Sequence, residues 1–340
     1  MKVMFVGDVC LGEYYLSLGH GPRTHSKTQS PFSAVQHIFN TADFVVGNLE
    51  APITGTNSQD HEPESMTFKA HPRSVAHLRT ARLRVMQVAN NHTVQHGADV
   101  FDETLALLRS DDIQAVGLVN QSPIVIEENG IKVGFLAASD VPDNTDKQQA
   151  KYQRLDDNFF DTVEQSVDSV DHLIVLLHWG LEASTSPLPY QRDLAKRLRS
   201  AGVRAVVGCH PHIFYEIRYE ETFVCAYSLG NFVFDLCWDR RLTSSGILEL
   251  SFEDGKLSGK VWPVELKFNG ALPTPSGAPV PLIESTKLYE LGTGMRLQTL
   301  KKFYYLLKNI FEGRSMLKLK FLARKLRLIP KFRPKVREPK

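Results

Sequence analysis

Apolar positions in this chain fall into two alternating textures. Short, nearly continuous runs predict buried strands at 3–7 (VMFVG), 43–47 (DFVVG), 84–89 (RVMQVA), 114–119 (QAVGLV), 132–138 (KVGFLAA), 172–178 (HLIVLLH) and 204–208 (RAVVG). Their length and β-branched content suit a sheet covered on both faces. Between them, apolar residues at helical spacing predict helices over 33–39, 72–80, 98–110 and 188–202. The last aligns Leu194, Ala195 and Leu198 and closes at Gly202, a C-terminal stop signal. Such strand–helix alternation predicts an α/β fold with a largely parallel sheet. Beyond about Ile213, TFVCAYSL and SGILELSFEDGKLSGKVWPVEL read as antiparallel strands, with Asp254-Gly255 as a hairpin turn. Pro, Gly and small residues dominate 271–283. From about Leu297, Leu, Ile and Phe are spaced among Lys and Arg as in a helix, which Pro330, Pro334 and Pro339 end. The pattern divides the chain into a body at 1–270, a loop-rich connector at 271–296 and a basic amphipathic helical tail at 297–340.

Composition adds one asymmetry. The 340 residues are 42% hydrophobic and 23% charged, which excludes global disorder and permits a core without disulfide or metal staples. Residues 301–340 carry fourteen Lys or Arg against two acidic residues, a net of +12, so the first 300 carry −10 of the overall +2. An acidic body without a recognition motif argues against nucleic acid. The tail combines basic and apolar faces, which suits docking at an anionic membrane surface or on a protein partner. No run approaches the roughly 20 apolar residues of a membrane span, and Asp8 interrupts the short apolar start, unlike a signal peptide. The expectation is a cytoplasmic protein, with a peripheral position at the inner face of the membrane open to it. Cys10, Cys209, Cys225 and Cys237 form no CxxC pair, so a zinc ribbon and a thioredoxin-like motif are excluded.

The candidate chemistry lies where strands end. Asp8 follows the first; Asn48 and Glu50 the second; Asn90, Asn91 and His92 the third. His178 and Trp179 close the sixth, and Cys209, His210 and His212 follow the seventh. In an open α/β sheet the carboxyl ends of strands gather at one edge, where ligands bind. Each residue alone has an ordinary structural reading as a cap, a turn or a core histidine; five strand ends together predict a site. Mixed carboxylate, amide and imidazole donors fit Mn, Fe or Zn better than Ca. A carboxylate shared by two ions, roughly 3.5–4 Å apart, would clamp a transferring oxyanion. If extended, His210-Pro211-His212 would aim both imidazoles into one cleft. Asp140 and Asp143 read as turn residues. His20, His25, His37, His61, His71, His77 and His96 lack comparable placement.

The ordered series GDVCLG, GNLEAPIT, ANNHTVQHG, HWGLE, GCHPH and YSLGNFVFD, running from about Lys2 to Asp235, resembles the bacterial CapA/PgsA capsule-synthesis family associated with poly-γ-glutamate, itself related to the calcineurin-like metallophosphatases. The resemblance implies a four-layer sandwich of two mixed β-sheets flanked by helices. It further implies Asp8 and His212 as first-metal ligands, Glu50 at the bridging position, and Asn91, His178 and His210 on a second metal. His92 would be the general acid, while Asn231 shapes the site. Asn90 and Trp179 are placed with Asn231 on the substrate side, Trp179 by packing beside it. Two departures matter. Cys10 stands where the phosphatase motif has His, so the first metal is either held by a thiolate, weak or absent. Gly12-Glu13-Tyr14 stands where the family often has Arg, leaving Arg23 or Arg73 as replacement anion anchors.

The expected activity is that of a metal-dependent hydrolase or transferase acting on a phosphoester or amide of an anionic polymer or its precursor. Two alternatives follow from the same residues. One is metal-free acid/base catalysis of an epimerase type by Asp8, Glu50 and His92. The other is a non-catalytic, polymer-binding subunit of a membrane-associated synthase.

Overall fold

The computed structural model describes residues 1–55, 62–143, 151–253, 256–292 and 298–328. The expected turn at Asp254-Gly255 and the three tail prolines lie outside these residues. Two mixed sheets face each other. The first is built on four parallel neighbours, β1 (Lys2–Val9), β2 (Phe44–Leu49), β3 (Leu83–Gln87) and β4 (Gln114–Val116). The second contains β5 (Ile124–Glu128), β6 (Ile131–Ser139), β7 (His172–His178), β8 (Ala205–Cys209), β9 (Ile217–Glu220) and β10 (Phe223–Ala226). The chain then returns to the first sheet. There β11 (Asn231–Val233) lies parallel to β1 at Asp8–Val9, and β12 (Ser244–Glu253) runs antiparallel to Lys2–Phe5. Outward of β12 lie β13 (Lys256–Lys267), β14 (Leu272–Pro275) and β15 (Val280–Pro281), while β16 (Ser285–Thr286) edges the second sheet beside β9.

Period-two alternation fixes which face each side chain takes. Val3, Phe5, Phe44, Val46 and Val85 of the first sheet meet Phe135, Ala137, Ile174, Leu176 and Val207 of the second in a central core. Their neighbours Met4, Val6, Val45 and Met86 face outward onto Val75, Leu78, Phe101 and Leu108. These come from helices Val75–Thr80 and Ala98–Ser110, which the sequence pattern predicts. On the far side Leu173, Val175 and Leu177 pack on Phe159, Val163, Ala195 and Leu198 of helices Asp157–Ser166 and Pro189–Ser200. The result is the expected helix–sheet–sheet–helix sandwich.

The structure departs from the pattern-based expectation in several places: the helix expected over 33–39 is helical only at Gln36–Phe39, and β5 was not anticipated. β10, read as antiparallel, is parallel to β8 and antiparallel only to β9. The segment read as loop-rich contributes β14, β15 and β16, so it lines edges of both sheets. Helix Asp157–Ser166 was not anticipated; its signal is Asp156, whose side chain accepts from the Phe159 N–H as an N-cap. The tail forms helices Gln298–Asn309 and Ser315–Lys325, packed on the body through Tyr305 and through Phe321, whose ring stacks on Tyr15 at 4.1 Å. Among the described residues no helix is long and apolar enough to cross a membrane.

Candidate metal centre

Strand register brings the site together. Parallel pairing sets Asp8 of β1 opposite Asn48 of β2 and Asn231 of β11, and sets His178 of β7 opposite Cys209 of β8. Asp8, Glu50 and His178 are fully buried, and Asn91, His92, His210 and His212 nearly so. The approach of β11 to β1 is tight. Asp8 N–H donates to Gly230 O at 2.9 Å, and a Cβ on Gly7 would lie 1.9 Å from that oxygen. Only glycine fits there.

His210 and His212 do not reach the cleft by an extended strand. Both have left-handed backbone, with φ of 95° and 60°. That conformation is uncommon for a residue with a Cβ, and doubly so for His210, which precedes a proline. Backbone held in such a region concentrates at functional sites. It turns both rings inward, with centroids 6.0 Å apart, and sets His210 4.7 Å from His178.

The hydrogen bonds form one connected network. Asn48 Nδ2 donates to Asp8 Oδ1 at 2.8 Å and to Glu50 Oε2 at 3.1 Å, joining two carboxylates through a neutral amide. Asn90 Nδ2 donates to Asn48 Oδ1 at 3.1 Å and to Leu49 O at 2.9 Å, fixing that amide. His212 Nδ1 lies 3.1 Å from Asp8 Oδ2 and 2.9 Å from Asn231 Oδ1, which leaves its Nε2 toward Glu50 Oε1 at 3.8 Å. His178 Nε2 meets Asn91 Oδ1 at 2.9 Å. His92 Nδ1 is 2.5 Å from Gln95 Oε1, and its ring lies against Phe68.

Two polar atoms break the pattern. Glu50 Oε1 and His210 Nδ1 are buried with no hydrogen-bond partner. An orphaned carboxylate oxygen is costly without a proton or a cation. Glu50 is also the member common to the two groups whose ligand atoms lie within 4.8 Å of one another, Glu50–His210–His212 and Asp8–Glu50–His178. The oxygen and nitrogen donors therefore fit a divalent cation. Cys10 belongs to neither group; it is fully buried, and burial with the nearby Asp235 charge pushes its thiol up, which opposes a thiolate ligand.

Electrostatics separate the two carboxylates. Burial would raise Asp8, but the His212 hydrogen bond and charge hold it below the usual carboxylate range. Burial and then the Asp8 charge push Glu50 well up. Burial and then His210 push His178 well down; burial and His212 bring His210 to about 4. Burial works against charge on His212, yet the Asp8 hydrogen bond leaves it raised. Burial brings His92 to about 4.

A cavity of about 260 Å³ opens over the cluster, lined among others by His92, His212, Tyr14, Glu182, Trp238 and Lys302. Asn90 and Asn231 are not in its lining; Asn90 bonds Asn48 and Asn231 bonds His212. Trp179, placed on the substrate side from sequence, is fully enclosed: its indole N–H donates to Tyr227 O at 2.9 Å, and its ring stacks on Tyr227. Arg23 Nη1 sits 3.3 Å from Met66 Sδ and Arg73 is exposed; neither lines the cavity. Sequence reasoning placed Asn48 at a strand end without giving it a role, and passed over Glu182 and Lys302. Asn48 and Glu182 sit inside quoted motifs, GNLEAPIT and HWGLE, and were legible; nothing local marks Lys302.

The chain has relatives. The chain is 28% identical over 286 residues to "PGA biosynthesis protein CapA" of Bacillus subtilis, an alignment covering 81% of this chain and 73% of that protein. It is 26% identical over 260 residues to "Capsule biosynthesis protein CapA" of Bacillus anthracis, covering 72% of this chain and 62% of that one, less than two thirds of its length. Among solved structures, a 5′-nucleotidase from Candida albicans aligns at 12% identity over 93% of this chain and 58% of its own, with a TM-score of 0.46. Residues 2–236, which hold every strand end of the cluster, match the family described as "Bacterial capsule synthesis protein PGA_cap", and the chain belongs to that family.

Proposed function

We propose that this protein is a metal-dependent hydrolase or transferase that acts on a phosphoester or amide bond of an anionic polymer, or of its precursor, in poly-γ-glutamate-type capsule biosynthesis. One observation carries the reading. Glu50 Oε1 is buried without a hydrogen bond, facing His212 Nε2 at 3.8 Å, at the point common to two oxygen/nitrogen donor groups. Asp8, Glu50 and His178 would hold one ion and Glu50, His210 and His212 another, with Asn91 contributing its amide oxygen; this exchanges His178 and His212 relative to the assignment that the resemblance implies. Mn, Fe and Zn all suit these donors. A divalent cation there supplies the Lewis acidity that polarises a phosphoryl or carbonyl oxygen.

The protein's own part is positioning. Asn48 keeps the two carboxylates together, and Asp8 fixes the His212 tautomer by taking its Nδ1–H, as carboxylates do behind ligating histidines. Gln95 and Phe68 set the plane of His92 at the cavity wall. With its pKa near 4, His92 is neutral at neutral pH. For it to donate a proton to a leaving group, the negative charge of bound substrate must add to that of Glu182, which already favours the charged ring.

Elemental analysis of the purified protein, with phosphoester and amide turnover assays, tests this reading. Stoichiometric Mn, Fe or Zn, lost together with turnover in His210→Ala, supports it. A metal-free protein that turns over substrate removes it and leaves the acid/base alternative.

We also propose that the tail docks on an anionic lipid surface. Leu300, Phe303, Tyr304, Leu307 and Phe311 are exposed at one helical spacing, beside exposed Lys308. The inner cations are already engaged: Lys301 with Asp239, Lys320 with Glu62, and Arg324 with Glu62 and Glu64. The full-length protein should co-sediment with phosphatidylglycerol vesicles at low salt, and Phe303→Asp should weaken this; failure of the unaltered protein to sediment ends the proposal.

A further inference from the structure

The wall of the site cavity is completed from outside the family-matched segment. Helix Gln298–Asn309 lies far beyond residue 236, yet its Lys302 lines the same cavity as His92 and His212. Its Nζ sits 4.6 Å from the ring centroid of Trp238 and 5.1 Å from that of Tyr14. Among the described residues no carboxylate or carbonyl accepts from this ammonium. The contrast with its neighbours is direct, since Lys301 is bonded to Asp239 at 2.6 Å and Lys318 to Asn309 O at 2.8 Å and Glu312 O at 2.9 Å. Two aromatic faces hold a cation in place without using its N–H donors. Trp238, in the same wall, has a buried indole N–H that also lacks an acceptor.

The helix is not loosely placed. Lys301 ties its first turn to Asp239, Tyr305 Oη meets Ser17 Oγ at 3.4 Å, and Asn309 Oδ1 meets His20 Nε2 at 3.0 Å. Glu13 is turned inward, accepting from the backbone N–H groups of Gly19, Gly21 and Thr24. Glu182 stands in the cavity lining as well, and its charge acts on both His92 and Lys302.

We infer that Lys302 is the anion anchor of this site, supplied by the C-terminal helix, and that it binds a carboxylate or phosphate oxygen of the substrate while His92 and the donor cluster face the reacting bond. The inference deepens the proposed function and rests on it for the position of the reacting bond. The tail is then part of the site as well as a docking element. A charge-assisted hydrogen bond in a partly buried site corresponds to roughly tenfold to hundredfold in affinity.

Calorimetric titration of the full-length protein with inorganic phosphate, and separately with a γ-linked glutamate oligomer, tests the assignment. Lys302→Gln should weaken at least one of the two anions by about tenfold or more, Lys302→Arg should largely retain binding, and metal content should be unchanged in both. The anion that responds identifies whether phosphate or carboxylate is recognised. Equal affinity of Lys302→Gln and the unaltered protein for both anions overturns the inference, as does absence of binding to either. Absence of metal from every variant, with the Lys302 effect intact, overturns the proposed chemistry and leaves the anchor standing.

Discussion

Replacing Glu50 with Gln should have opposite effects on the metal-free and metal-loaded protein. Without metal, an ionised Glu50 is a fully buried charge beside Asp8, with one oxygen that accepts no hydrogen bond. Its pKa is raised by burial and by Asp8, so the folded protein holds a proton that the unfolded chain releases near the usual Glu value. An acid with a raised folded pKa lowers stability progressively as pH rises above that unfolded value. Gln removes this penalty, so metal-free Glu50→Gln should melt at or above the temperature of the unaltered protein at pH 7.5. With metal the order reverses. A site saturated at 100 times its dissociation constant stabilises by about 2.7 kcal/mol. At about 2.1 cal/mol/K per residue, 340 residues give an unfolding entropy near 0.7 kcal/mol/K, so one ion raises the melting temperature by about 4 °C. Because Glu50 belongs to both donor groups, the variant should lose the whole shift and not half of it. Differential scanning calorimetry over a Mn²⁺ series, with chelator-treated controls, reads both effects. A variant that keeps the full metal-induced shift would refute the shared-ligand geometry.

Gly208→Ala should unfold at a lower temperature by the equivalent of about 1–3 kcal/mol, the usual cost of forcing atoms into a packed interior. Its Cβ would fall 2.1 Å from Tyr227 O and 2.4 Å from Trp179 Nε1, so a normal melting temperature would show that β8 is looser than described. Asp235→Asn should flatten the pH profile of stability between about pH 4 and pH 7. Burial raises this carboxyl to about 7, so the unaltered protein loses stability over that interval as pH rises and the amide does not; parallel denaturant titrations at pH 5 and 8 would reveal an unchanged slope if the reasoning fails.

The local pattern carried much of this molecule. Each continuous apolar run became a strand because burial on both faces demands it, and β-branched residues accept that geometry. The helix at Ala98–Ser110 and the one at Pro189–Ser200 followed from apolar spacing and stop signals. The polar residues at strand ends could be enumerated because the carboxyl edge of a parallel sheet is where such residues collect. That much required only periodicity and residue type.

The rest depended on pairing between distant segments. That β10 joins β8 in parallel is a choice of partner, and a short apolar run looks the same in either orientation. Asn48 is an ordinary strand-end amide until register sets it between Asp8 and Glu50. His210 and His212 share a cleft through left-handed backbone, which neighbouring residues do not announce. Lys302 reads as one more positive charge in a basic tail; only the docking of its helix over Tyr14 and Trp238 distinguishes it from Lys308, which points to solvent. Hydrophobic periodicity is a short-range property, written within a few residues of the side chain it governs. The position of a charge relative to a site built from residues distant in the chain is set by the packing of whole elements, and only the tertiary structure decides it.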